Sequence, residues 1–298
     1  MLIEHEIEKT TDHPVRFADH AAVQPHRQRT LDNLAHTSAL SFLSGAWERR
    51  RLVGVFLARD IRVRYRQTML RGAWALLQPL LSISAFTFVF GHVAKVPSEG
   101  VPYPVFVFCG LLPWQLFARG LVRSANCLVE ERYLLTRVYV PRLIPLLTAV
   151  LSGVVDFGAG LIVLVALMIC YGARPSLAIL WVGPLLMLAL VTTAGCGLLL
   201  SAWNVKYRDV GYILPFFIQL YLLITPVAYP SSLVPAAWRF LYGLNPMATV
   251  VEGFRYALAG AAATNEGTVL APLLISGISL LLGLICFLRM DREFADVV

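Results

Sequence analysis

The chain is short of charge, and shorter still of lysine. Only 14% of its 298 residues are charged, against about 25% in soluble domains, and its lysines are Lys9, Lys95 and Lys206 alone. None of the three follows a glycine, so the phosphate loop G-x-x-x-x-G-K-[ST], whose lysine reaches nucleotide phosphates, is missing. ATP binding by that loop is excluded. The cysteines (Cys109, Cys127, Cys170, Cys196, Cys286) show no C-x-x-C spacing and sit in or beside apolar runs, where a free thiol packs as a small hydrophobe. There is no H-E-x-x-H and no D-x-D pair. Groups suited to acid–base chemistry are sparse along the apolar part, where Glu99, Asp156, Glu252, Glu266 and His92 stand far apart. No catalytic residue, cofactor or metal site is expected on this chain.

What the chain has in excess is hydrocarbon: 58% of its residues are hydrophobic, which marks an integral membrane protein. Runs of the roughly 20 apolar residues needed to cross a bilayer lie near Trp74–Val93, Tyr103–Val122, Leu143–Cys170, Leu177–Ala202, Gly211–Ala228 and Val269–Leu288. The expected fold is therefore all-α, with six transmembrane helices and both termini on one side. Taking the N-terminus as cytoplasmic leaves only Lys95, Arg174, Arg239 and Arg255 outside, as the positive-inside rule requires. Residues 1–45 are polar and hold His5, His13, His20, His26 and His36, without the spacing of a metal site. They read as a flexible cytoplasmic tail ahead of a transmembrane domain at 46–298. No apolar core opens the first 30 residues, so no secretory signal is expected.

One apolar stretch resists reading as a span. TPVAYPSSLVPAAWRFLYGLNP carries Pro226, Pro230, Pro235 and Pro246, and each proline inside a helix costs roughly 3 kcal/mol and frees a carbonyl. Such backbone survives at membrane depth only where protein or a water-filled cavity satisfies it. Residues 229–260 are accordingly expected to form two short helices that dip into the membrane from the outer face and return. The alternative, a seventh span, would export Arg289 and Arg292.

Two segments point to the inner surface. WERRRLVGVFLARDIRVRYRQTMLRG, at about 47–71, mixes arginines with aliphatics and reads as an interfacial amphipathic helix, although Arg59 intrudes on the apolar stripe of Leu52, Phe56 and Val63. NCLVEERYLLTRVYVPRL is too apolar for a free loop and suits either docking to another protein or lying on lipid. Within the spans, Tyr212, Phe216 and Gln219 share one helical face, with Phe217 and Tyr221 opposite, and Gln78, Ser82 and Phe86 share another. A face with an amide meets a helix or a pore; its rings either stack on sugar or pack on helices. Asp156, deep in the third span, is expected to pair with Arg119 or Arg123.

In order along the chain, RYRQTMLRGAWALLQPLL, GLLPWQLF, RVYVPRLIPL, NVKYRDV, TPVAYPSSLVP and LNPMATVVEGFRYAL resemble the membrane subunit of ABC transporters that export lipid-linked polysaccharides: O-antigen, capsule and teichoic acid exporters. The likeness runs from about Arg49 to the C-terminus. It implies a homodimer of six-span subunits in the bacterial inner membrane, enclosing a channel and driven by two copies of a separate ATPase that holds ATP and magnesium. It implies no nucleic-acid partner. By that resemblance the segments Arg51–Leu70 and Glu130–Arg142 contact the ATPase, with Arg59, Arg62, Glu130, Glu131, Arg132, Tyr133, Arg137 and Arg142 as coupling candidates. Channel-lining candidates are Phe86, Trp114, Phe117, Tyr212, Phe216, Gln219 and Tyr221. Residues 229–260 match an outer gate, with Pro230, Pro235, Trp238, Tyr242, Asn245 and Pro246 as its candidates. Arg49, Arg50 and Arg51 are candidates for the lipid diphosphate. The chain departs from the family in reading Leu70-Arg71-Gly72 where leucine-glycine is usual. An exporter of small lipids or drugs, or a lipid-linked glycosyl or acyl transferase, are the alternatives.

Overall fold

A computed structural model describes residues 50–66, 73–132, 140–173, 177–261 and 269–297, all within the compact unit Gly45–Val298. The tail at 1–45, Arg49, the Leu70-Arg71-Gly72 elbow, Tyr133 and Arg137 lie outside the described residues. The described part is all helical. In order come α1 (Arg50–Arg66), α2 (Ala73–Phe86), which runs on as a π-helical stretch Thr87–Val93, α3 (Tyr103–Glu130) and α4 (Leu143–Tyr171). After a 3-10 turn at Leu177–Trp181 follow α5 (Val182–Lys206), α6 (Asp209–Ile224), α7 (Ala236–Leu244), α8 (Pro246–Phe254), with a π-helical continuation Arg255–Ala259, and α9 (Leu270–Val297).

Among the described residues, five helices are long and apolar enough to cross a membrane: those covering Leu76–Val93, Tyr103–Glu130, Leu143–Tyr171, Ala178–Lys206 and Leu270–Met290. The expected fifth span falls short of the other five. Its helix, α6, has 16 residues, about 24 Å at 1.5 Å per residue, where the hydrocarbon core is about 30 Å thick. The physical reason is Pro226, which disfavours the α conformation at the residue before it; Thr225 is extended, with φ −81° and ψ 133°. From there the chain runs through buried, non-helical Thr225–Ala228.

α3 is the centre of the bundle. Its start is eased by Pro104 in the first turn, where no intrahelical N–H is lost, and its first half, Val105–Trp114, is apolar and buried throughout, as a helix segment enclosed by others must be. It packs on α4 and α5, and α5 in turn packs on α9. The α5–α9 contact is so close that a Cβ on Gly283 would lie 2.3 Å from the Gly195 carbonyl oxygen, and one on Gly195 would lie 2.6 Å from the Leu280 amide nitrogen. Small residues at this crossing let the two backbones meet, and Thr192 and Ser276 then share a hydroxyl hydrogen bond of 2.8 Å.

The bundle has two distinct ends. At the basic end lie α1, Glu130–Glu131 and the α5–α6 junction, where Asn204 donates to the Ala125 carbonyl at 3.0 Å and accepts from the Gly211 amide at 2.9 Å. At the proline end lie the loop 94–102, the 3-10 turn Leu177–Trp181 and all of 225–260.

Candidate functional site

The proline end shows how its broken backbone is satisfied inside the bundle. Every carbonyl from Val227 to Tyr229 accepts a side-chain hydrogen bond from a neighbouring helix. Arg255, only 3% exposed, is the main donor. Its Nη2 donates to Val227 O, its Nη1 to Tyr229 O at 3.2 Å and its Nε to Phe106 O at 3.3 Å. Between those two carbonyls, Ala228 O accepts from the Tyr103 hydroxyl at 2.7 Å. The guanidinium also lies 3.8 Å from the Phe106 ring centroid, a cation–π contact that desolvation strengthens. Room for it comes from Gly110, where a Cβ would sit 3.1 Å from Arg255 Nη2 and 3.3 Å from Val227 O.

Asn245 performs the second repair. Its Oδ1 caps α8, accepting from the Met247 and Ala248 amides at 2.9 and 3.3 Å, and also accepts from the Tyr221 hydroxyl; its Nδ2 donates to Thr225 Oγ1 at 3.2 Å. Pro246 follows at the first helical position, where proline is favoured. The other gate candidates divide by burial. Pro230 is buried, Pro235 and Trp238 are exposed, and Tyr242 is half-buried with its hydroxyl 2.7 Å from that of Tyr229. α8 enters the bundle against α3 and α5, burying Met247, Val250, Val251 and Phe254, whereas α7 exposes Trp238, Phe240 and Leu241. Glu99 ties the loop before α3 to this end by accepting from Ser232 at 2.9 Å.

The channel-lining candidates also separate. Tyr212, 85% exposed, shares an open face of α6 with Phe216 and Gln219. Trp114 and Phe117 are each 3% exposed, and the Tyr221 ring packs on both, with centroids 5.4 and 5.8 Å away. Trp114 and Phe117 thus face inward from α3 within the subunit, and Phe117 borders the groove between α6 and α9. Phe86 is half-buried and stacks on Phe90 at 5.7 Å.

At the basic end, Arg59 crosses from α1 to the end of α3. It donates to both carboxylate oxygens of Glu131 and lies 3.2 Å from Asp60. Its guanidinium rides 4.8 Å over the Phe56 ring, so the arginine that seemed to interrupt an apolar stripe is what fastens α1 to the bundle. The hydrogen bond to Glu131 holds the Arg59 pKa above its ordinary value although partial burial acts against it, and the group stays charged. Arg50, Arg51, Arg62, Glu130 and Arg132 are exposed, and Arg142 is half-buried. An open cleft of about 540 Å3 lies among α1, α3 and α4, bordered by Phe56, Arg123 and Thr148. Beyond it, Asp156 on α4 stands 3.2 Å from Arg123 and 3.9 Å from Arg119, one turn apart on α3, and Arg123 also donates to Ser152 at 2.8 Å. Among the described residues no group of three or more His, Cys, Asp or Glu is placed to hold a metal.

These features occupy a stretch that matches a known family: the profile described as ABC-2 type transporter fits residues 51–259. The chain belongs to that family. Among curated proteins it is 28% identical over 250 residues to the O-antigen export system permease protein RfbA of Klebsiella pneumoniae, covering 83% of this chain and 95% of that one. It is 27% identical over 212 residues to RfbA of Myxococcus xanthus, with 70% and 80% covered. To the polysialic acid transport protein KpsM of Escherichia coli it is 23% identical over 213 residues, with 69% and 80% covered. This ABC-2 permease is a multi-pass membrane component of a bacterial exporter without a catalytic domain, and ATP binding lies on the partner ATPase. The missing phosphate-loop lysine is thereby explained.

Sequence reasoning missed Arg255, which it counted only as an outside charge. A signal existed: an arginine in the mostly apolar run MATVVEGFRYAL, which follows a proline-broken segment whose carbonyls need donors. The Asp156 site carries a test of its own. Asp156→Ala in this ABC-2 permease leaves two guanidinium groups facing each other, and the expected loss is about 2 kcal/mol, below the buried-pair range because both arginines are partly exposed. Thermal unfolding in detergent measures it. Leucine at 119, 123 and 156 together is expected to recover stability to within about 1 kcal/mol of the native protein.

Proposed function

We propose that two copies of this permease form the conduit through which a partner ATPase drives a polysaccharide carried on a polyprenyl diphosphate lipid across the inner membrane. The observation that carries this reading is the similarity over 95% of an O-antigen export permease, joined by likeness to a transporter named for a different polymer, polysialic acid. A shared scaffold for unlike polymers points to the polysaccharide class. In this reading the basic end is cytoplasmic, with both termini there, and the proline end is the outer gate. Tyr212, Phe216 and Gln219 supply a wall of rings and an amide, able to stack on sugar faces and bond their hydroxyls. Exposed Arg50 and Arg51, with Arg49, meet the lipid diphosphate by charge-assisted hydrogen bonds.

ATPase motion enters through α1 and the segment after α3, which the Arg59–Glu131 pair joins into one lever. Deleting the gene is expected to abolish the surface polymer, read by gel staining of surface glycan, and to leave drug tolerance unchanged. An intact polymer with reduced drug tolerance would instead identify a small-molecule exporter. Within the lever, Arg59→Glu is expected to slow export several-fold, and Arg59→Glu with Glu131→Arg to restore it. Protein level should not change in either, since a partly exposed pair contributes only about 0.2–1 kcal/mol.

A further inference from the structure

α6 presents two different exposed faces, and the second belongs to no part of the proposed conduit. At 100° per residue, Tyr212, Phe216, Gln219 and Leu223 cluster on one side, whereas Ile213, Phe217, Leu220 and Ile224 cluster about a quarter turn away. The second, wholly apolar face forms one wall of a groove of about 590 Å3, with Ile275 and Ser279 of α9 opposite and Leu199 of α5 along its floor. The polar side chains that line this groove are committed elsewhere. Thr192 bonds Ser276 at 2.8 Å, Cys196 meets Ser279 at 3.4 Å, and Tyr221 donates to Asn245. What remains to meet an occupant is carbon, which suits neither water nor sugar. The groove lies between helices of a membrane protein, and its lining suits a hydrocarbon chain.

Charge lies beyond one end of the groove. Lys206 follows Leu199 by two turns on the same face of α5, about 10 Å toward the basic end, and Arg208 sits at the start of α6; both are exposed, with Asp209 as the neighbouring acid. Trp203 and Tyr207 are exposed beside them, as aromatic residues are at a headgroup boundary. Basic groups about 10 Å beyond a groove between membrane helices, within reach of the headgroup of a lipid whose chain lies in it, select an anionic headgroup.

We propose that this groove is a binding site for an anionic phospholipid of the bilayer, with one acyl chain between α6 and α9 and its phosphate held by Lys206 and Arg208. The assignment is independent of what the transporter carries. It is tested on the purified full-length chain in detergent, delipidated and then supplied with phosphatidylglycerol or phosphatidylcholine of identical acyl chains. Phosphatidylglycerol is expected to raise the melting temperature several degrees more than phosphatidylcholine and to remain bound in native mass spectrometry. In the Lys206→Gln, Arg208→Gln double variant that excess should vanish, and Leu220→Trp, which fills the groove, should lose the effect of both lipids. Equal stabilisation by the two lipids, or an undiminished excess in the double variant, overturns the site. Retention of polyprenyl phosphate over phosphatidylglycerol at equal mole fraction overturns the choice of occupant. The double variant changes only exposed residues, so the test stands even if Leu220→Trp fails to fold.

Discussion

Replacing Arg255 by methionine is expected to unfold the proline end, and with it the whole chain at temperatures where the native protein is stable. Methionine keeps most of the apolar volume but strands the carbonyls of Val227 and Tyr229 and takes a second donor from Phe106 O, which lies inside α3. A buried polar group left without a partner costs about 1–3 kcal/mol, so with two such carbonyls the loss is on the order of 2–6 kcal/mol, comparable with much of a protein's net stability. Arg255→Lys is expected to fall between, because an ammonium is a point donor and cannot reach three carbonyls as a planar fork does. Gly110→Ala should follow the same direction, since its Cβ would intrude on Nη2 of Arg255, Val227 O and Val251 Cγ1 at 3.1, 3.3 and 3.0 Å. The measurements are thermal unfolding in detergent and surface polymer in cells. A methionine variant within about 1 kcal/mol of the native protein would show that the guanidinium is not what holds the broken backbone.

The second large effect is expected at the α5–α9 crossing. Gly283→Ala places a methyl 2.3 Å from the Gly195 carbonyl oxygen, and Gly195→Ala places one 2.6 Å from the Leu280 nitrogen and 2.8 Å from the Ser279 carbonyl carbon. These are backbone atoms, which cannot rotate aside, so the helices must separate. Overpacking costs typically 1–3 kcal/mol, and separation also stretches the Thr192–Ser276 bond, so about 3 kcal/mol is expected for either variant. Gly277→Ala on the same helix is the control. Nothing lies within 4 Å of its Cβ, and alanine is the better helix former by roughly 1 kcal/mol, so it should be neutral or stabilising. If Gly283→Ala unfolds at the same temperature as Gly277→Ala, the close approach of the two backbones is not a source of stability.

The long apolar helices were legible in the sequence because about 20 consecutive apolar residues leave little choice of structure. The pieces around Pro235, Asn245 and Pro246 were legible for the opposite reason: proline and asparagine state where a helix stops and starts. Legibility failed where the answer depended on a neighbour. Trp114 and Phe117 look like any aromatic pair on a span, and only the packing of Tyr221 against both shows that their side of α3 is internal. Arg59 broke an apolar pattern until Glu131, distant in sequence, accounted for it. The α6 terminus was misjudged by four residues, Ile224 against the expected Ala228, because an apolar run was taken to be helical past Thr225 in spite of the proline that follows.

That shortfall has an effect beyond the protein. Lipids beside α6 meet an apolar cylinder about 6 Å shorter than the hydrocarbon they would otherwise span, and such mismatch is met by thinning of the surrounding leaflets. A polar headgroup crossing there faces a narrower dielectric barrier than beside the longer described helices.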